Sequence, residues 1–146
     1  MGDSKIIDKY QKIVVSILLL IIGGVAIILN TVDFSGHKLT IKENMVKVGV
    51  ESFNIEDIQK IELLESINTV TRTKGTGTSK YIRGVCNIEG ESKKASVYIY
   101  KNNSPYIRIE LEEGLLIYND KKSDDTKKTY DKLVDAINVN RETINE

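Results

Sequence analysis

The sequence predicts a mainly β (α+β) chain: a small barrel of about seven antiparallel strands, capped by a C-terminal helix and preceded by one transmembrane helix. Three observations predict it. A charge-free apolar run occupies positions 13–29. From about residue 39 to 118, apolar residues recur at every second position between clusters of turn residues, which is the period of half-buried strands. Beyond Ser123 the apolar period lengthens to that of a helix. The expected organisation is a short N-terminal tail over 1–12, a transmembrane helix over 13–30, a β domain over 31–138 and a flexible polar tail over 139–146.

The apolar run reads IVVSILLLIIGGVAIIL, with Ser16 its one polar residue. At about 1.5 Å per residue, 17 residues reach about 25 Å, the short end of what spans a bilayer. A helix on the surface of a soluble core shows a polar face, and this run has none. A retained anchor is favoured over a cleaved signal peptide, whose apolar region is shorter and ends at a small-x-small site. Here the run is followed by Asn30-Thr31-Val32-Asp33. Lys5, Lys9 and Lys12 before it, against Lys38 and Lys42 after it, tip the expected topology towards a single-pass protein with its β domain outside the cytoplasm.

The strands follow in order. Leu39 and Ile41, a turn at Glu43-Asn44, then Val46, Val48 and Val50 predict a first hairpin. Phe53 to Ile58 is a connector, and Ile61, Leu63 and Leu64 continue in a third strand. Glu65 to Lys80 reads as a long polar loop. A fourth strand covers about 82–88 and a fifth carries Ala95, Val97 and Ile99 on one face. After the turn at Lys101–Pro105, Ile107, Ile109 and Leu111 alternate in a sixth strand. Glu112-Glu113-Gly114 turns into a seventh over Leu115–Tyr118. Ser123 is the candidate N-cap of the helix, followed by Asp124 and Asp125, where the helix dipole favours anions. Tyr130, Leu133, Val134 and Ile137 form its apolar stripe, and Asn138 or Asn140 can end it. One helix placed there is a plug for the open end of a curled sheet.

Composition narrows function. With 21 basic and 21 acidic residues, the chain lacks the excess of positive charge that marks nucleic-acid binders. The lone Cys86 allows no intramolecular disulfide and reads as a small apolar group in a strand. With one histidine, His37, and no Cys/His cluster, neither a zinc site nor a catalytic triad is expected. No cofactor, no metal and no enzymatic activity are expected.

Several stretches resemble a known family. IEDIQKI at Ile55–Ile61, the spacing of RTKG at Arg72–Gly75 to Gly84, SPYIRI at Ser104–Ile109 and YNDKKSDDTKKTY at Tyr118–Tyr130 are similar to bacterial PH-like domains, relatives of the pleckstrin homology fold often carried behind a membrane segment. The resemblance covers about 37–138. It departs at Val85-Cys86, where a phenylalanine near the glycine is the family's habit. It implies a non-enzymatic PH-like barrel, with Gly84, Asn119, Asp120, Thr126 and Tyr130 as architectural residues.

The stretch TRTKGTGTSKYIRG, 71–84, carries four cations and no anion: Arg72, Lys74, Lys80 and Arg83. It lacks the Gly-Lys-Ser/Thr order and following helix of a nucleotide-binding loop. These four are the candidate ligand-binding residues, facing anionic lipid headgroups or an acidic partner; each cation near an anionic leaflet contributes on the order of 1 kcal/mol. The expected function is a membrane-anchored protein-interaction module, with lipid sensing through this loop as the alternative.

Overall fold

The computed structural model describes residues 3–31 and 38–144, with side chains over 10–25 and 38–143. His37 and the 32–36 link lie outside the described residues. The chain divides into two compact units, 1–34 and 35–146.

The first unit is a single helix, α1 (Asp3–Thr31), which takes in the whole apolar run. Its large apolar side chains from Ile13 to Val25 are 45–76 % exposed. Among the described residues, no helix is long and apolar enough to cross a membrane. The part of the run with described side chains, Ile13–Val25, is about 20 Å long against a hydrocarbon thickness of about 30 Å.

The second unit is mainly β, with two sheets and a C-terminal helix. Strands β1 (Thr40–Lys42), β2 (Met45–Val48) and β3 (Glu51–Asn54) form an antiparallel three-stranded sheet. A single 3₁₀ turn (Ile55–Asp57) leads into the second sheet, made of β4 (Ile58–Leu64), β5 (Val70–Gly77), β6 (Tyr81–Ile88), β7 (Ala95–Tyr100), β8 (Tyr106–Leu111) and β9 (Gly114–Tyr118). Their spatial order is β4-β8-β9-β7-β6-β5. Helix α2 (Ser123–Ile144) lies against the 3₁₀ turn, β4 and β8.

This architecture corrects the expected elements in several places. There are nine strands rather than seven among the described residues, and β7 pairs with β9 in parallel. The predicted strand through Val50 stops at Val48, because Gly49 turns the chain at φ +58; Val50 is 90 % exposed, and Phe53 belongs to β3 instead of a connector. The predicted 65–80 loop contains β5. Helix α2 runs past Asn138 and Asn140 to Ile144, across most of the predicted tail.

The connection between β4 and β5 forces curvature. Lying at opposite edges of the six-stranded sheet, they would stand about 24 Å apart in a flat sheet. The six steps from Leu64 to Val70 reach at most about 21 Å. The sheet therefore curls, in the sense its intrinsic twist allows. Strand alternation gives it two apolar faces. One packs Tyr98, Ile107, Ile109, Leu116 and Tyr118 against the three-stranded sheet and against Leu133 and Ile137 of α2. The other gathers Cys86, Val97, Ile99, Leu115 and Ile117, with Ile67 of the crossing segment packed on them. Cys86 is free and fully buried, as an apolar strand residue would be, and burial pushes its thiol pKa up.

A polar joint fixes α2 to the end of β9. The buried Asn119 side chain accepts from the Tyr100 N–H at 2.6 Å and donates to the carbonyls of Tyr100 and Asn103. Asp120 accepts from the Tyr118 hydroxyl at 2.7 Å and the Thr129 hydroxyl at 2.8 Å, while its own N–H donates to Thr126 Oγ1. Ser123 does open the helix, with Asp124 and Asp125 in its first turn, but its hydroxyl donates to the Ser104 carbonyl rather than capping a backbone N–H. The Tyr130 ring packs against the first core.

Candidate functional site

The predicted basic loop is the β5–β6 hairpin, closed by a turn at 78–80. Two of its glycines face each other across the ladder. Gly75 (φ +114) pairs with Gly84 (φ +129), and a Cβ on either would strike the other strand's backbone: the Arg83 carbonyl in one case, the Lys74 carbonyl in the other. Only glycine tolerates that approach together with those angles.

The hairpin does not gather its four cations on one face. Thr73 is an extra residue in the ladder, so Arg72 lies opposite Cys86 and Lys74 opposite Val85. Cys86 and Val85 are consecutive, hence on opposite faces. Without the bulge, Arg72 and Lys74 would share a side; with it they part. Arg72 turns towards the second core, its guanidinium lying over Gly77, where a Cβ would meet it. Lys74 and Arg83 remain together on the other face, as diagonal neighbours: Lys74 is paired with Val85 and Arg83 with Thr76. Lys80 stands apart in the turn, beside Lys101, whose ammonium donates to the Thr78 carbonyl at 2.7 Å.

A cation better enclosed by counter-charge is Arg108 on β8. Its guanidinium meets Glu91, Glu62 and Glu110, each at 3.0 Å. These contacts, Glu91 first, hold its pKa above its ordinary value. Glu62, held chiefly by Lys60 at 2.8 Å, is shifted below the usual carboxylate range. This network ties β4, β8 and the β6–β7 turn together.

A second feature escapes the sequence. A groove of about 540 Å³ opens between β3 and the six-stranded sheet. Its floor holds Phe53, Val85, Leu111, Leu115 and Leu116. Its rim carries Glu51, Asp57, Glu112 and Glu113, against one lysine, Lys94. Ser96 donates to Glu51 Oε1 at 3.0 Å, linking the two sheets at this point. These residues come from four separate stretches of chain, so no local motif announces them. Val85 connects the groove to the hairpin, since Lys74 lies directly opposite it.

No family model matches this chain, and neither the curated proteins nor the solved structures yield a match.

Proposed function

We propose that this chain is a membrane-anchored, non-enzymatic interaction module, with a PH-like β domain that presents its edges to a protein partner beside the bilayer. One observation carries the reading: from Ile13 to Val25 α1 holds no charged residue, and its large apolar side chains there stand exposed. An apolar helical stretch with no polar face is stable only where lipid or another chain covers it. The sequence extends the charge-free run to Leu29, long enough to span a thin bilayer. The likeness of 37–138 to bacterial PH-like domains supports an architectural role for Gly84, Asn119, Asp120 and Thr126, and each makes a structural contact of that kind.

Membrane fractionation with cysteine labelling tests the reading. In a Cys86→Ala chain, Ser92→Cys places one thiol in the exposed β6–β7 turn. The expected outcome is retention in the membrane after an alkaline carbonate wash and labelling of intact cells by a membrane-impermeant maleimide. Release by carbonate would remove the anchor from the reading. Retention with labelling only after lysis would turn the domain towards the anionic cytoplasmic leaflet. Lipid recognition by Lys74 and Arg83 would then displace protein recognition as the leading function.

A further inference from the structure

We infer that the groove between β3 and the six-stranded sheet is a docking site for an extended basic peptide with alternating apolar residues. The inference rests on the interaction-module reading and names the class of its partner.

Four features converge. The first is an open backbone edge. β3 pairs only with β2 among the described strands, so its second edge is unpaired by any strand. Three consecutive β3 residues, Glu51, Ser52 and Phe53, line the groove. Successive strand residues point to opposite faces, so three in a row line one cleft only if the cleft runs along the strand's edge. A free edge offers N–H and C=O groups to an added strand, the mode by which sheets capture extended peptides.

The second is charge. Glu51, Asp57, Glu112 and Glu113 against Lys94 leave the lining residues with a formal charge of −3, in a chain whose total is zero. Such a rim attracts cationic side chains and repels acidic ones, giving specificity and a faster encounter. The third is the apolar floor, with the half-buried Phe53, Val85 and Leu111 available to the side chains that an added strand points inwards. The fourth is size: about 540 Å³ lies within the usual range for ligand clefts and accommodates a few residues of a peptide rather than a folded domain. Polar and apolar demands then alternate along the ligand as they do along a strand, with Lys or Arg towards the rim and Val or Leu towards the floor.

The test uses the full chain in phosphatidylcholine nanodiscs and three fluorescein-labelled peptides, KVKVKV, KGKGKG and EVEVEV, followed by anisotropy. KVKVKV is expected to bind at least tenfold more tightly than the other two, and to weaken as salt rises. Glu112 and Glu113 are exposed turn residues, so E112K/E113K is expected to fold normally and to lose binding about tenfold or more. A K127E/K132E control at exposed positions of α2 is expected to leave binding unchanged. Equal binding of KGKGKG would reduce the groove to a charged surface and overturn the inference, as would binding of EVEVEV. Indifference to E112K/E113K would place the peptide elsewhere and overturn it too. Competition by spermine as effective as KVKVKV would make the occupant a polyamine rather than a peptide. Insertion of the chain is scored separately by carbonate extraction, so loss of peptide binding with the anchor intact rejects this inference and leaves the anchoring reading standing.

Discussion

The six-stranded sheet contains two hairpins of opposite character. In β8–β9, Ile107, Ile109, Leu116, Ile117 and Tyr118 are all but inaccessible, and the turn is the acidic pair Glu112-Glu113. In β5–β6, β5 is exposed from Thr71 to Gly77, Gly75 and Gly84 oppose each other at positive φ, and the turn carries Lys80. Both are antiparallel ladders of similar length. The difference is position. β9 lies between two strands and beneath both cores, so nearly every side chain on it is a packing residue. β5 is an edge strand, and its lysine and arginine discourage the edge-to-edge pairing that a bare edge invites. Both strands of the first hairpin pack into the cores, whereas in the second β6 does so and β5 is left on the surface.

The largest break in this contrast comes from truncating the same kind of position in each. Leu116→Ala removes a side chain 1 % exposed that touches the first core, and an expected loss of about 2–5 kcal/mol follows from lost transfer energy and the cavity left behind. Thr76→Ala on exposed β5 is expected to stay within about 0.5 kcal/mol. Urea denaturation of the full chain in nanodiscs, followed by far-UV circular dichroism, measures both. Comparable losses would show that the β5–β6 hairpin belongs to the cooperative core and would erase the distinction.

The same contrast explains what was legible beforehand. In the sixth and seventh predicted strands, Ile107, Ile109 and Leu111 and then Leu115–Tyr118 announce themselves by apolar pattern, and β8 and β9 fall there. β5 reads TRTKGTG over 71–77, β-branched threonines with no apolar alternation, because neither face of most of it is buried. A periodicity argument has nothing to detect in such a strand. Val50 failed for the opposite reason: it continues the alternation of Val46 and Val48, but Gly49 has already turned the chain. The basic cluster at 71–84 was visible because it is local in sequence. Its splitting across two faces was not, because a bulge at Thr73 is a property of pairing. The acidic groove was invisible for a related reason, since Glu51, Asp57 and Glu112 meet only through the stacking of the two sheets.

Within the β5–β6 hairpin, two glycines separate backbone necessity from surface tolerance. Gly84→Ala puts a Cβ against the Lys74 carbonyl and the Gly75 Cα at φ +129, where neither neighbour is a movable side chain. The expected cost is about 1–3 kcal/mol, the scale of a residue held in a disfavoured backbone region. Gly77→Ala meets only the tip of Arg72, which swings aside, and is expected to be neutral to within about 0.5 kcal/mol. If both variants melted alike, the close approach of Gly75 and Gly84 would not be a backbone requirement of the hairpin.

The smallest effect sharpens the comparison by pH. Each hairpin buries a titratable group: Cys86 in β6 and Tyr118 in β9. The Tyr118 hydroxyl donates to Asp120 and accepts from the Leu39 N–H at 3.2 Å. Burial, then the Asp120 carboxylate, push its pKa well above the ordinary value near 10. A neutral group whose folded pKa is raised contributes stability that is fully present below the unfolded pKa and is lost as pH climbs past it, because the unfolded chain ionises first. Tyr98 and Tyr106 are shifted the same way by burial, so stability is expected to fall above about pH 10 with several residues contributing, each at most about 1.4 kcal/mol per pH unit. Tyr118→Phe, made in a Cys86→Ala background to silence the thiol, loses its two hydrogen bonds and about 1 kcal/mol at pH 7. It also loses its share of the alkaline slope, so its stability curve and that of its parent should close on one another by about pH 11. Parallel curves across pH 7–11 would mean that Tyr118 ionises alike in the folded and unfolded chain. The polar joint at the end of β9 would then be no drier than the exposed hairpin beside it.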